Sequence, residues 1–75
     1  MYVISISVDK REEEIPDTQE VLTKYGKKIV ARLGLHNCEK EYDGLILIVY
    51  KEEDVEDFVE EMNRINGINV NYMEV

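Results

Sequence analysis

Apolar residues along this chain switch between the two-residue repeat of a strand and the 3-4-3 repeat of a helix, and the switches mark out six elements. Residues 2–9 alternate, with Tyr2, Ile4, Ile6 and Val8 on one face and Val3, Ser5, Ser7 and Asp9 on the other. That is a strand with one face to bury and one small, mixed face. After a charged connector, Pro16 suits the first turn of a helix, where a missing N–H costs nothing. Asp17 and Glu20 then lie near the positive end of the helix dipole. Ile15, Thr18, Leu22 and Tyr25 form one helical stripe, widened by Val21, which places a helix over residues 16–25. Gly26 reads as the left-handed residue that ends it.

Residues 27–36 return to strand spacing. Ile29, Ala31, Leu33 and Leu35 are expected on one side, and Val30, Arg32, Gly34 and His36 on the other. A glycine inside a strand, here Gly34, signals a bulge or a close approach by another backbone or a ligand. A polar loop over 37–43 leads through Asp43-Gly44 into residues 45–50, apolar on both faces, so the two runs read as a hairpin. A strand of that kind belongs in the middle of a sheet with its second face at least partly covered. Asp54 starts a second helix whose stripe is Val55, Phe58, Val59, Met62 and Ile65; Glu56, Asp57, Glu60, Glu61 and Arg64 make its solvated surface. Gly67 ends that helix. Ile68, Val70 and Tyr72 then alternate with Asn69, Asn71 and Met73 in a last strand.

The order βαββαβ over residues 1–75 predicts one domain of the α+β class. We expect a ferredoxin-like sandwich: an antiparallel sheet of order 4-1-3-2 with two helices on one face. Within it, right-handed crossovers lead us to expect strands one and three to lie side by side in parallel. The helices would leave the other face open, carrying Val3, Ser5, Ser7, Val30, Arg32, Gly34, His36, Asn69, Asn71, Met73 and half of strand three. Such a small, aliphatic face with few charges is unusual on a monomer, and burial by self-association into a dimer or tetramer is expected. A chain of 75 residues has a marginal core, which association supplements.

Charge narrows the choice of partner. Nine Lys and Arg against 17 Asp and Glu give a net charge of −8. An acidic surface lacks the positive patch that phosphate backbones need, so a regulatory role would run through a protein partner and not through direct nucleic-acid binding. The longest apolar run, 45–50, falls far short of the roughly 20 residues that span a bilayer, so no membrane contact is expected. The first ten residues have no basic segment ahead of their apolar run and do not read as a signal peptide. With a single cysteine, Cys38, nothing points to an oxidising compartment, and a cytoplasmic protein is expected.

The run Tyr25-Gly26-Lys27-Lys28-Ile29-Val30-Ala31-Arg32-Leu33-Gly34, the short hairpin and the closing Gly67-Ile68-Asn69-Val70 together resemble a family of short stand-alone ACT-like domains, the iron-only hydrogenase system regulators. The resemblance spans nearly the whole chain through a fold-level pattern rather than a catalytic signature. It implies an ACT-type sandwich, oligomerisation and a regulatory role linked to a hydrogenase system. A more distant likeness is to the metal-sensing C-terminal domain of nickel-responsive regulators. The chain departs from amino-acid-binding ACT domains in the connector after the first strand. Asp9-Lys10-Arg11-Glu12-Glu13-Glu14 has no glycine and three consecutive carboxylates, a poor place to receive an amino-acid carboxylate.

Candidate sites are few. His36 and Cys38, two apart, fall on one face of an extended strand and are a ligand pair suited to Zn²⁺, Ni²⁺ or Cu. A closed site takes about four ligands, so a partner subunit or Glu39 and Glu41 would have to complete it. The competing reading is a hairpin end with a surface histidine and a free thiol. Arg32 could hold an anionic ligand or an ion pair across a subunit interface, with Gly34, Val30, Ser5 and Ser7 around it. No nucleophile–base pair, phosphate-binding glycine loop or HExxH pattern occurs, and the carboxylate runs fall at helix starts, so an enzyme is not expected. Three roles remain open: a regulator acting through a partner or small effector, a nickel- or zinc-responsive sensor, and a structural oligomerisation module.

Overall fold

The computed structural model describes residues 1–8, 15–36 and 44–75, and only the backbone of residues 15, 16 and 36. Its elements are β1 (Tyr2–Val8), α1 (Ile15–Lys24), a 3₁₀ turn (Gly26–Lys28), β2 (Ile29–His36), β3 (Gly44–Tyr50), α2 (Val55–Asn63) and β4 (Ile68–Glu74). They build a four-stranded sheet of order β2-β3-β1-β4, a ferredoxin-like α+β fold.

Every strand pairing is antiparallel, β1 with β3 included, and Ile4 lies opposite both Ile48 and Tyr72. The expected parallel pairing of strands one and three is therefore wrong. The crossover through α1 returns β2, not β3, in the direction of β1. The hairpin then reverses the chain, so β3 reaches the side of β1 running the opposite way.

The core fills the space between the sheet and the two helices. Ile4, Ile6 and Val8 from β1, Ile48 and Tyr50 from β3 and Ile68 from β4 meet Leu22 and Tyr25 at the end of α1, and Val55, Phe58, Val59 and Met62 of α2. The described members of the stripes read from the sequence are thus the buried ones, with Thr18 also buried and Val21 and Ile65 at the margin, while the side chain of Ile15 lies outside the described residues. Phe58 stacks on Tyr50 at 5.3 Å between ring centroids and meets Tyr25 edge-on at 5.3 Å. Three aromatic rings at this spacing add favourable quadrupole contacts to a core that has few residues to spare.

Two glycines behave differently from expectation. The chain passes through Gly26 into a 3₁₀ turn, closed by Lys28 N–H donating to Tyr25 O at 3.0 Å. Among the described glycines the left-handed conformation belongs to Gly67 (φ 82°), after α2. At Gly34 a side chain would meet nothing within 4 Å among the described residues, so no described backbone approaches it closely.

The irregularity of β2 lies instead at its start. Ile29 pairs with Tyr50 and Ala31 with the adjacent Val49, leaving Val30 as an extra residue between them. A bulge of this kind shifts the alternation by one, and a shift of one turns every following side chain to the other face. Arg32, opposite Ile48, and Gly34, opposite Ile46, therefore sit on the helix side of the sheet. Ala31, Leu33 and Leu35, opposite Val49, Leu47 and Leu45, sit on the open side. This reverses the facing expected for both sets.

Candidate functional site

The side of the sheet away from the helices is built of three rows of four residues. Strand register places Met73, Val3, Val49 and Ala31 in the first row. The middle row is Asn71, Ser5, Leu47 and Leu33, and the third is Asn69, Ser7, Leu45 and Leu35. The face divides lengthwise. Its β2–β3 half is wholly aliphatic, while its β4–β1 half carries two asparagines and two serines beside Met73 and Val3. None of the twelve side chains is ionisable, in a chain with 9 basic and 17 acidic residues.

Exposure on this face is high for such side chains. Leu33 is 55% exposed, Leu35 40% and Met73 61%. The reason is topological: both helices are spent on the other face, and β2 and β4 are the edges of the sheet. A shallow apolar depression in the middle is lined by Val3, Ala31, Leu33, Leu47 and Val49, and a second, beside it, by Val3, Ser5, Asn71 and Met73. Ser7 Oγ donates to the main-chain carbonyl of Asn69 at 3.5 Å, a local bond within the sheet.

The residues singled out from the sequence are thus dispersed. Ser5 and Ser7 lie on the open face as expected. Val30 protrudes at the bulge, 55% exposed. Arg32 turns toward α1, where its Nη2 donates to Gln19 Oε1 at 3.3 Å, so the guanidinium leans on the helix layer instead of joining the two serines. Gly34 lies on that same side. Cys38, Glu39 and Glu41 are outside the described residues, as is the side chain of His36. Among the described residues no group of three or more His, Cys, Asp or Glu side chains is placed to hold a metal ion.

Sequence reasoning missed a polar belt at the rim of the helix layer. The phenol of Tyr50 donates to Asp54 Oδ1 at 2.9 Å, and Lys28 Nζ donates to Asp54 Oδ2. The phenol of Tyr25 donates to Glu61 Oε2 at 2.6 Å, and Lys24 Nζ pairs with the same oxygen at 2.9 Å. The Lys24 and Lys28 ammoniums each lie 5.6 Å from the Tyr25 ring centroid, within cation–π reach. The protonation states follow. The Lys28 bond, followed by that from Tyr50, holds the Asp54 carboxyl below its usual range, and the Tyr25 and Lys24 bonds do the same for Glu61. The bond to Glu61, together with burial, pushes the Tyr25 phenol up to about 12, and burial together with Asp54 pushes Tyr50 up as well. Asp54 is the residue before α2, yet its side chain makes no capping bond because both oxygens serve Tyr50 and Lys28. The one signal available in the sequence was the tyrosine four residues before that aspartate.

Next to this belt, Tyr2, the strand partner of Tyr50, donates its Oη proton to Glu53 Oε1 at 3.0 Å, which raises the Tyr2 phenol to about 12. No described helix is long and apolar enough to cross a membrane.

Comparison with known proteins agrees with this architecture. The structure titled "The structure of uncharacterized protein TM1266 from Thermotoga maritima" superposes with a TM-score of 0.85 at 23% identity, covering 96% of this chain and 91% of that one. At that identity the match shows a shared fold. No match is found among curated proteins. The TM1266-like family model, described as "Iron-only hydrogenase system regulator, putative", matches residues 1–73, and with nearly every residue inside that match the chain belongs to this family.

Proposed function

We propose that this domain regulates an iron-only hydrogenase system by binding and not by catalysis, working as a homo-oligomer (a dimer or tetramer) that engages a regulatory protein partner or a small effector. The observation that carries this reading is the uncharged, half-aliphatic open face of the sheet. Twelve non-ionisable side chains on one face of a chain of net charge −8 mark a surface meant for contact. The family description supplies the hydrogenase system. The net negative charge supports action through a protein in preference to a phosphate backbone.

Native mass spectrometry of the purified protein tests this reading, because subunit number and bound mass are read together. The expected result is an oligomer. An 8.8 kDa monomer at micromolar concentration would overturn the reading of the open face. Removing the gene and measuring hydrogenase activity in the same cells tests the regulatory part, and unchanged activity under all growth conditions would overturn that.

A further inference from the structure

We infer that two copies of this chain stack face to face through their open sheets about a two-fold axis that runs across the strands, so that each strand lies over its own copy in reverse. The inference rests on the self-association proposed above and adds its geometry. Area is the first argument. Four strands about 4.8 Å apart and about 24 Å long offer roughly 450 Å² in plan, or roughly 900 Å² for two copies. Side-chain relief carries that past the roughly 1,000 Å² a specific interface needs, but only if the whole face is used. Stacking the aliphatic half alone would halve it.

Full overlap leaves two ways to relate identical sheets. An axis along the strands would set the β2–β3 half of each copy over the partner's β4–β1 half, burying the amides of Asn69 and Asn71 against leucines without hydrogen-bond partners. An axis across the strands sets aliphatic on aliphatic and amide on amide. In the middle row Leu47 and Leu33 then each meet their own copies, and so does Asn71, whose amide both donates and accepts and is therefore its own complement. The absence of charge suits this arrangement too, since any ionised residue in the central row would face its own copy. A surface complementary to itself in this way fits a second copy better than an unrelated partner.

Opposite charges placed at one position provide the test. Stacked sheets cross at about 30°, which displaces the corners most and the centre least, so Leu47 is the position to use. Leu47→Lys and Leu47→Glu are each expected to stay folded by circular dichroism, to fall to half the assembled mass of the wild type, and to weaken association at least about 100-fold. An equimolar mixture of the two is expected to regain the wild-type mass. Ser5→Lys with Ser5→Glu, also in the middle row, must behave alike and replaces the first pair if either leucine variant unfolds. If instead Leu47→Lys assembles with Ser5→Glu and not with Leu47→Glu, the axis runs along the strands and this inference falls while self-association stands. If both Leu47 variants keep the wild-type mass, another surface is used and the inference again falls. A monomeric wild type removes this inference and the proposed oligomer together.

Discussion

The phenol of Tyr25 reaches Glu61 at 2.6 Å, so the residue just after α1 is tied to the C-terminal half of α2 beside the edge-to-face contact of Tyr25 with Phe58. One side chain thus serves the core through its ring and the rim through its hydroxyl. Tyr25→Phe separates the two functions. It keeps the ring and removes the hydrogen bond, while Glu61 retains Lys24. We expect a loss of about 1 kcal/mol in a urea melt. Phe58→Ala removes the ring on which both tyrosines rest and should cost about 3–5 kcal/mol, a large share of what a small domain possesses.

The same belt sets the response to pH. Asp54 and Glu61 titrate below their ordinary values of 3.8 and 4.5, so their contribution is present above those values and is lost as pH falls below them. The phenols are the opposite case, because the protonated form makes the bond. Their contribution is complete below the ordinary value of 10.0 and is lost as pH rises from there through about 12 for Tyr25. Melting temperature against pH should therefore show a plateau between about 5 and 10 with a fall on each side. Spectrophotometric titration supplies a direct check. Of the five tyrosines in the chain, Tyr2, Tyr25 and Tyr50 should remain largely protonated at about pH 11.

Val30 is the extra residue of β2, and its deletion should be tolerated. Removing it joins Ile29 directly to Ala31, already opposite the consecutive residues Tyr50 and Val49, so a regular ladder replaces the bulge. Deleting Leu33 instead should swap the facing of the residues after it and set Leu35 against the helix layer. We expect a cost of about 1 kcal/mol or less for the first deletion and at least about 2 kcal/mol for the second, measured by chemical denaturation.

Gly34 occupies a regular strand position with open space where a side chain would stand. Gly34→Val should therefore stabilise the chain by about 0.5–1 kcal/mol, through a less flexible unfolded state and a better strand former. A fall in melting temperature would show that the backbone at Gly34 is approached by something other than the described residues. Since Gly34 faces the helix side, the substitution should leave the assembled mass unchanged.

The order of elements, the helix stripes and the sheet order were all legible along the chain. Each depends on local periodicity and on the few right-handed ways a short βαββαβ chain can connect. Ser5 and Ser7 were likewise placed on the open face by the unbroken alternation of β1. The facing of Arg32 and Gly34 was not legible, because the bulge at Val30 carries no local signal: its surroundings read Ile-Val-Ala-Arg, which alternates equally well in either phase. The ladder with β3 selects the phase by setting Ile29 over Tyr50 in the core and Leu33 over Leu47 outside it. Pairing between Tyr25 and Glu61, 36 residues apart, was beyond local reading for the same reason. Periodicity reports which face a residue prefers within its own element, whereas a bulge, a rim hydrogen bond and the division of the open face into aliphatic and amide halves exist only once separate elements are set side by side.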